Sequence, residues 1–128
     1  MNVLIEADED NIDALLLRGK AFTKKGDNNE AVYDLSRVLR KEPNNVEALI
    51  SRGASMARGG LGTKAIEDFD RAIKLQPDLA VAHFNKAMIY FVYEHYSSAV
   101  RSFDTAIQLD PAYGEAFTRR GMAKINAG

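Results

Sequence analysis

The sequence predicts an all-α protein built as a tandem array of two-helix units, and a fixed period of 34 residues is the main sign of it. The three prolines of the chain follow one another at that spacing, as Pro43, Pro77 and Pro111. Two more sets of residues keep the same step: Ala31, Ala65 and Ala99, and Leu35, Phe69 and Phe103. Self-similarity at such a period is typical of helical repeat proteins, in which each repeat packs on its neighbours.

Within the first repeat, two apolar stripes indicate two helices. Residues spaced i, i+4 and i+7 form the stripes: Leu15, Gly19 and Phe22 in the first helix, and Ala31, Leu35 and Val38 in the second. This spacing places side chains on one face of a helix. Gly26 and Asp27 interrupt the pattern between the two helices. Pro43 ends the second helix because proline cannot continue one.

The second and third repeats follow the same plan. Their first helices have the stripes Leu49, Gly53 and Met56, and His83, Ala87 and Tyr90; their second helices have Ala65, Phe69 and Ala72, and Ala99, Phe103 and Ala106. Asn44 and Asp78 directly follow two of the prolines and are predicted to cap the next helix. Two pairs have the spacing of a capping box: Asn44 with Glu47, and Asp27 with Glu30.

A basic residue stands beside the first-helix stripe in every repeat, and acidic residues occur late in the second helices. The basic set is Arg18, Arg52, Lys86 and Arg120, and the acidic set is Asp34, Asp68, Asp70 and Asp104. An arginine row is well suited to binding phosphate or carboxylate ligands. Here the two sets are predicted to form ion pairs between helices, because Ser102 replaces the aspartate in the repeat where Lys86 replaces arginine.

The glycine, alanine, aromatic and proline positions together resemble the tetratricopeptide repeat, a helix-turn-helix unit of the same length. The resemblance implies a right-handed superhelical solenoid of antiparallel helix pairs. It divides the chain into residues 1–11 as the end of a preceding second helix, repeats at 12–45, 46–79 and 80–113, and residues 114–128 as the first helix of a further repeat. Three features depart from the family pattern. A basic residue replaces the leucine before each glycine or alanine, and Glu94 replaces a turn glycine. The bulky residue usual early in the first helix is Leu15, Leu49, His83 or Phe117 here.

Composition argues against most catalytic chemistry and against charged partners. The 128 residues contain no cysteine and only two histidines, His83 and His95, which are too few for a metal site or an acid–base pair. The 17 basic and 18 acidic residues leave a net charge of -1, so neither nucleic acid nor a membrane surface is expected as a partner. No signal peptide or transmembrane segment is predicted, and the sequence indicates no compartment. We expect no cofactor and no enzymatic activity.

The glycine-rich segment 57–65, ARGGLGTKA, invites comparison with a phosphate-binding loop. That motif ends in Gly-Lys-Ser/Thr and follows a strand, whereas this segment has Gly-Thr-Lys between two helices. We therefore interpret Gly59, Gly60 and Gly62 as a turn in which backbone freedom is needed.

The resemblance also implies a concave groove, lined by the first helices, in which peptides or helices bind. The expected lining residues are Leu16, Lys20, Ile50, Ala54, Phe84, Asn85, Met88, Phe91, Arg119 and Met122. Phe84, Met88 and Phe91 are expected to anchor an apolar or amphipathic segment, because exposed apolar surface usually marks an interaction site. Its polar contacts are expected at Lys20, Asn85 and Arg119. The alternative is that these residues contact an adjacent helix, or a terminal helix that fills the groove.

One member of the family binds the acidic tails of heat-shock chaperones through a two-carboxylate clamp of lysine, arginine and asparagine. The matching positions are Leu16, Lys20, Ser51, Val81 and Asn85, or, one repeat later, Ile50, Ala54, Asn85, Glu115 and Arg119. Only Asn85 and Arg119 fit the later set, and Glu115 would repel a carboxylate, so this clamp is disfavoured.

The sequence therefore predicts a non-catalytic scaffold that binds a protein or peptide ligand. Neither end has the polar capping helix that a repeat array needs for solubility, which favours a piece of a longer protein. Two alternatives follow from that: self-assembly into a homo-oligomer through exposed end helices, and a regulatory module of a larger protein.

Overall fold

A computed structural model describes residues 11–128, and these form seven α-helices and no β-strand. The helices are α1 (Ile12–Lys25), α2 (Asn28–Lys41), α3 (Val46–Arg58), α4 (Gly62–Leu75), α5 (Ala80–Val92), α6 (Tyr96–Leu109) and α7 (Gly114–Ala127). The predicted all-α class is confirmed. The predicted helix end over residues 1–11 lies, apart from Asn11, outside the described residues. Among residues 11–128, no helix combines the length and the apolar character needed to cross a bilayer.

The chain divides into two compact units, one that ends at Asp68 and one from Phe69 to Gly128. In the first unit, α1 packs on α2 and α3 packs on both of them. Most of the predicted stripe residues lie in its core, where Leu15, Ala31, Leu35, Val38 and Leu49 are buried. Leu39 and Ala48, outside the stripes, are buried too, whereas Phe22 and Met56 are half-buried. Gly19 permits the closest approach, because a Cβ atom at this position would lie 2.7 Å from the Leu35 side chain.

In the second unit, α6 packs between α5 and α7. Its core consists of one aromatic pair surrounded by alanines: Phe84, Phe103, Ala87, Ala99, Ala106, Ala116 and Ala123. The predicted stripe of α6 is buried, but His83 at the start of the α5 stripe is only half-buried. Its Nε2 atom lies 3.3 Å from the carbonyl oxygen of Pro77, which keeps the imidazole at the surface.

Each second helix ends two residues before a proline. The last residues of α2, α4 and α6 are Lys41, Leu75 and Leu109. A proline disfavours the helical conformation of the residue that precedes it, so one non-helical residue separates each helix from its proline. The prolines therefore end the second helices as predicted.

The capping residues differ from the prediction by one position. Asn45, rather than Asn44, caps α3, and its Oδ1 accepts a hydrogen bond of 3.0 Å from the Ala48 backbone N–H. Asn11 caps α1 in the same way through Ala14. The predicted cap at Asn44 is wrong, because this residue lies in the preceding turn. Sequence cannot separate two adjacent asparagines at a helix start.

The later repeats have no side-chain cap at the same place. Leu79 and Tyr113 are the N-cap residues of α5 and α7, and neither makes a capping hydrogen bond. The predicted cap at Asp78 is therefore wrong. Asp27 is the N-cap residue of α2, but its side chain makes no capping bond, so the predicted box with Glu30 does not form.

The turn between the two helices of each repeat requires one left-handed residue. Gly26 and Gly60 occupy this position with φ of 87° and 88°, and Glu94 occupies it in the third repeat with φ of 63°. The turn is the same in all three, since the next residue donates a backbone hydrogen bond to the carbonyl five positions back, as His95 does to Tyr90 at 2.8 Å. A residue with a Cβ atom is strained in this conformation.

Replacing Glu94 by glycine is expected to stabilise the second unit by about 1 kcal/mol, because glycine adopts the left-handed conformation without the Cβ penalty. Urea unfolding followed by circular dichroism measures the change. Glu94→Ala is the matched control: it removes the carboxylate, retains the Cβ atom and should gain much less. Equal gains from both variants would show that charge, and not backbone strain, limits the stability of this turn.

Candidate functional site

The recurring arginines are held in ion pairs between helices. Arg18 on α1 donates from Nε and Nη2 to the two carboxylate oxygens of Asp34 on α2, at 2.7 and 2.9 Å. Arg52 makes the same two bonds to Asp68, at 2.7 and 2.8 Å. The hydrogen bonds that Arg18 donates to Asp34 raise the pKa of Arg18. The prediction that these residues pair with each other is confirmed.

The third and fourth basic residues take their partner from the preceding repeat. Lys86 pairs with Asp70 at 2.7 Å, and Arg120 donates from Nη1 to Asp104 at 2.9 Å. Arg52 bonds to both repeats, because besides Asp68 its Nη1 also donates to Ser36 of the preceding repeat at 3.2 Å. The carboxylate partner of a first-helix basic residue can therefore come from the second helix of the same repeat or from that of the preceding repeat.

The remaining surface of each first helix lies opposite its packing stripe. With about 100° between successive residues of an α-helix, the positions two before and two, five and nine after the first stripe residue (Leu15, Leu49, His83 or Phe117) lie about half a turn from that residue. We call this set of positions the outer row. Its members are Asp13, Leu17, Lys20 and Lys24 on α1; Glu47, Ser51, Ala54 and Arg58 on α3; Val81, Asn85, Met88 and Val92 on α5; and Glu115, Arg119, Met122 and Asn126 on α7.

In the first unit, the outer row is largely polar and paired. Lys20 Nζ on α1 lies 3.0 Å from Glu47 Oε1 on α3, so the predicted polar contact at Lys20 already has a partner. Arg58 Nη1 donates to the carbonyl oxygen of Thr23 at 2.7 Å, where it satisfies the end of α1. Ala54, which lies between Glu47 and Arg58 along α3, is half-buried.

Two other predicted lining residues of the first unit, Leu16 and Ile50, are not in the outer row. They lie one position past the packing stripe, and both are half-buried. The sequence did not distinguish these two residues from the outer row, because both kinds of position fall beside the packing stripe.

In the second unit, the outer row of α5 is uncharged and, apart from Asn85, apolar. Val81 and Val92 at its ends are 39% and 68% exposed. Met88 and Asn85 between them are half-buried. The first turn of α5 contains no acidic residue and its last turn no basic one.

The outer row of α7 contains one exposed apolar residue. Met122 is 42% exposed and occupies the position equivalent to Met88. Arg119 lies 3.9 Å from Glu115 one turn earlier on the same helix. The predicted polar contact at Arg119 therefore has a weak internal partner.

Phe84 is not an exposed anchor, and the expectation that it is one is wrong. Its side chain is only 7% exposed. The ring stacks on Tyr113 with centroids 4.7 Å apart and packs at an angle against Phe103 at 5.7 Å. Like Leu16 and Ile50, Phe84 lies one position past the packing stripe, and there it contacts Tyr113, the N-cap residue of α7.

Phe91 lies on the same side of α5 as Phe84, seven residues later, and is half-buried. Its ring meets the edge of Tyr96 with centroids 5.6 Å apart. Met88 packs against the same aromatic cluster from the outer row. Of the three predicted anchors, Met88 and Phe91 thus keep part of their surface available.

Tyr113 is the residue that the sequence analysis missed. Burial raises its pKa, and the nearby Glu115 and Asp110 carboxylates act in the same direction. The signal was its repeat position: the residues at this place are Asn11, Asn45, Leu79 and Tyr113. A side chain that cannot cap a helix, at a position that caps in earlier repeats, indicates a packing role instead.

Two further predictions concern the glycine-rich segment and His95, both of which lie outside the outer row. The glycine-rich segment forms the turn between α3 and α4, with Gly60 left-handed and no strand before it. His95 is the N-cap residue of α6 and lies at the surface. Within residues 11–128, no cluster of histidine and carboxylate side chains has the arrangement of a metal site.

Solved structures with this fold are numerous, and three are described here. The crystal structure of MamA has a TM-score of 0.93 and 24% identity, over 99% of this chain and 74% of that one. The first TPR of Spaghetti (RPAP3), bound to the HSP90 peptide SRMEEVD, has a TM-score of 0.84 and 19% identity, over 91% of this chain and 93% of that one. A mutant O-GlcNAc transferase from Thermobaculum terrenum has a TM-score of 0.82 and 28% identity, over 91% of this chain and 22% of the transferase.

No protein with a curated description matches the sequence. Sequence profiles of the tetratricopeptide repeat match residues 16–80 and 80–113. These ranges contain α2 to α6 entirely, with the three turns and the ion pairs of Arg18, Arg52 and Lys86. By sequence profile and by fold, the chain belongs to the tetratricopeptide repeat family.

Proposed function

We propose that this chain is a non-catalytic protein-interaction scaffold that binds an apolar or amphipathic segment of a partner along the outer row of its second unit. The observation that carries the proposal is the uncharged outer row of α5, where Val81 and Val92 are exposed on either side of Met88. Exposed apolar side chains in a continuous stripe are costly in water unless a partner covers them. Met122 extends the stripe onto α7.

The proposed contacts differ from residue to residue. Met88 and Met122 would adapt to the shape of an apolar ligand, because the methionine side chain is unbranched and flexible. Asn85 would hydrogen-bond the ligand backbone, and Arg119 would meet an acidic group at the rim. Phe84 has no direct contact in this proposal and instead supports the helix that presents Met88.

The outer row of the first unit is more polar than that of the second. Lys20 and Glu47 neutralise each other there, which leaves Leu16, Ile50 and Ala54 as the partly buried candidates for ligand contact in that unit.

The likeness to RPAP3 supports peptide binding as a use of this fold, since that domain is described with the HSP90 peptide SRMEEVD. The acidic end of that peptide is not the ligand expected for this chain. Val81 and Glu115 stand at outer-row positions where a carboxylate clamp needs basic or amide side chains. We propose an apolar ligand for this reason.

Selection of a random-peptide library on the purified chain tests the proposal. We expect a shared apolar motif to be enriched, and we expect its affinity to fall at least about tenfold in Met122→Lys, because a charge replaces an apolar contact. Leu109→Lys is the matched control: Leu109 is 39% exposed in the same unit but lies on α6, outside the outer row. Peptide affinities are measured by fluorescence anisotropy.

Two results would contradict the proposal. Equal loss of affinity in Met122→Lys and Leu109→Lys would show that the selected peptides bind elsewhere. A folded chain that enriches no motif, and whose mass rises with concentration in sedimentation equilibrium, would favour self-assembly as the function.

A further inference from the structure

The turn between α5 and α6 carries a carboxylate and aromatic side chains where the turns of the earlier repeats carry basic residues and glycine. We call residues 92–95, VYEH, the α5–α6 turn, and all four are exposed. The equivalent segments are 24–27, KKGD, and 58–61, RGGL. These are exposed as well, apart from the half-buried Asp27, although a further repeat follows each of them. The exposure of the α5–α6 turn is therefore a property of its place in a repeat.

Glu94 is present in this turn at a cost in backbone strain. It adopts φ of 63°, in the left-handed region that Gly26 and Gly60 occupy without a Cβ atom. Among residues 11–128, no basic side chain forms an ion pair with its exposed carboxylate. Strain of this kind is concentrated at functional sites. A use of the carboxylate would explain why a strained residue stands here.

The C-terminal end of α5 lacks a basic side chain, unlike the ends of the other first helices. The last turn of α1 has Lys24 and Lys25, that of α3 has Arg58 and that of α7 has Lys124, whereas that of α5 has none. The carbonyl groups at the end of a helix carry partial negative charge, so a cation is stabilising there. The end of α5 and the Glu94 carboxylate therefore favour a cation together.

The first unit shows how an arginine binds at such a helix end. Arg58 on α3 donates from Nη1 to the carbonyl oxygen of Thr23, in the last turn of α1, at 2.7 Å. The same oxygen accepts a second hydrogen bond, from the backbone N–H of Gly26 at 3.2 Å, so both of its lone pairs are used. Two repeats later, the equivalents of Arg58 and Thr23 are Asn126 and Phe91.

Asn126 does not take the place of Arg58 in the second unit. Its Nδ2 donates to the carbonyl oxygen of Met122 on its own helix, at 3.0 Å. The carbonyl oxygen of Phe91 accepts the turn bond from the Glu94 N–H at 3.0 Å, as that of Thr23 does from Gly26. In the part of the chain that the structure describes, no donor stands where Arg58 stands on α1.

Tyr93 adds an aromatic ring to the same turn. Its side chain is 44% exposed, and its ring meets His95 edge-on with centroids 6.5 Å apart. His95 also packs on the half-buried Tyr90, at 6.4 Å, so the imidazole connects the exposed ring to a more buried one. A guanidinium stacks on a tyrosine ring with its face and donates hydrogen bonds from its edge.

We propose that the α5–α6 turn binds an arginine side chain of a partner protein. The guanidinium donates to the Glu94 carboxylate and to the carbonyl oxygen of Phe91, and its face stacks on Tyr93. Arginine is favoured over lysine because its planar fork offers donors to both acceptors while it stacks. None of these groups is a side chain of the outer row, so the inference does not rest on the proposed peptide site.

A short peptide with one arginine, acetyl-GARAG-amide, is the probe, and the titration is followed by two-dimensional amide NMR of the chain. We expect saturable shifts of the backbone N–H signals of residues 91–95. The same peptide with citrulline, which is neutral and has nearly the same shape as arginine, should bind about tenfold more weakly. The peptide with lysine should fall between the two, because lysine keeps the charge but loses the fork.

Variants of the turn separate binding from stability. Glu94→Gly should weaken binding of the arginine peptide about tenfold, although it relieves the backbone strain and stabilises the second unit. A loss of affinity in a more stable chain cannot come from unfolding. Glu94→Gln, which keeps the Cβ atom and the shape, should lose nearly as much. Tyr93→Leu should lose about threefold, and thermal unfolding checks that it is folded.

Asn126→Arg places an arginine where Arg58 stands in the first unit. We expect it to reach the carbonyl oxygen of Phe91 from within the chain and to compete with the peptide, which should then bind about tenfold more weakly. Ile125→Arg is the matched control. It adds the same charge one residue earlier, about 100° away around α7, and should change the affinity little.

Two results would overturn the proposal. The first is an arginine peptide that shifts no signal of the turn, or one that the citrulline peptide equals in affinity. The second is an affinity that Glu94→Gly leaves unchanged and that Asn126→Arg and Ile125→Arg lower equally, because the peptide would then respond to the charge of the chain and not to this turn.

Discussion

Replacing Gly19 by leucine is expected to destabilise the first unit by about 3 kcal/mol, the upper part of the usual range for overpacking a core. A Cβ atom alone would come within 2.7 Å of Leu35, and Leu35 is fully buried, so it has no space into which to move. Leucine is a better helix former than glycine by nearly 1 kcal/mol, so a loss of stability can only come from the contact between α1 and α2. Urea unfolding, read as the shift in midpoint at constant slope, measures the effect.

The same substitution at Gly121 is the matched control, because the two glycines are three repeats apart and occupy the same position. With no atom within 4 Å of its Cβ, leucine at position 121 is expected to stabilise the chain by about 0.5 to 1 kcal/mol through helix propensity. The two variants should therefore have effects of opposite sign. A loss of stability in both would mean that α7 is already covered, and a gain in both would mean that α1 and α2 can separate without cost.

The fold could be predicted from the sequence because its determinants are local. A period of 34 residues and stripes at i, i+4 and i+7 depend only on spacing along the chain, and the buried Leu15, Leu35 and Phe103 are all residues that this spacing selects. The ion pairs were predictable for the same reason, since Arg18 and Asp34 recur 34 residues later as Arg52 and Asp68.

The candidate site was less predictable, because it depends on contacts between repeats whose residues differ. Phe84 is buried because Phe103 and Tyr113, the residue directly before α7, both pack against its ring. At the equivalent place after Ile50, the chain has Leu79 instead of tyrosine. Position within a repeat identifies which side of a helix a residue occupies, but not how large its neighbour is. The same limit applies to Arg120, whose partner Asp104 belongs to the preceding repeat.

Replacing Arg52 by methionine is expected to destabilise the first unit by about 3 to 4 kcal/mol, because it leaves a buried carboxylate without its partner. Asp68 is only 4% exposed and accepts both hydrogen bonds from Arg52, which is itself 18% exposed. Ser36 loses its bond from Nη1 at the same time. Arg120→Met is the matched control, because that guanidinium and its partner Asp104 are 28% and 42% exposed, and an ion pair so close to water contributes about 0 to 1 kcal/mol.

A double variant, Arg52→Met with Asp68→Leu, separates the cost of an unpaired charge from the value of the pair itself. Apolar side chains of similar volume often replace a buried ion pair without loss of stability, so the double variant should unfold within about 1 kcal/mol of the wild-type chain. The single variant Asp68→Leu should fall between the two, since Arg52 is longer and can reach water. If the double variant is as unstable as Arg52→Met alone, the pair stabilises the first unit by its own attraction. In that case the aspartates at this repeat position are structural determinants in their own right, rather than counter-ions for the arginines.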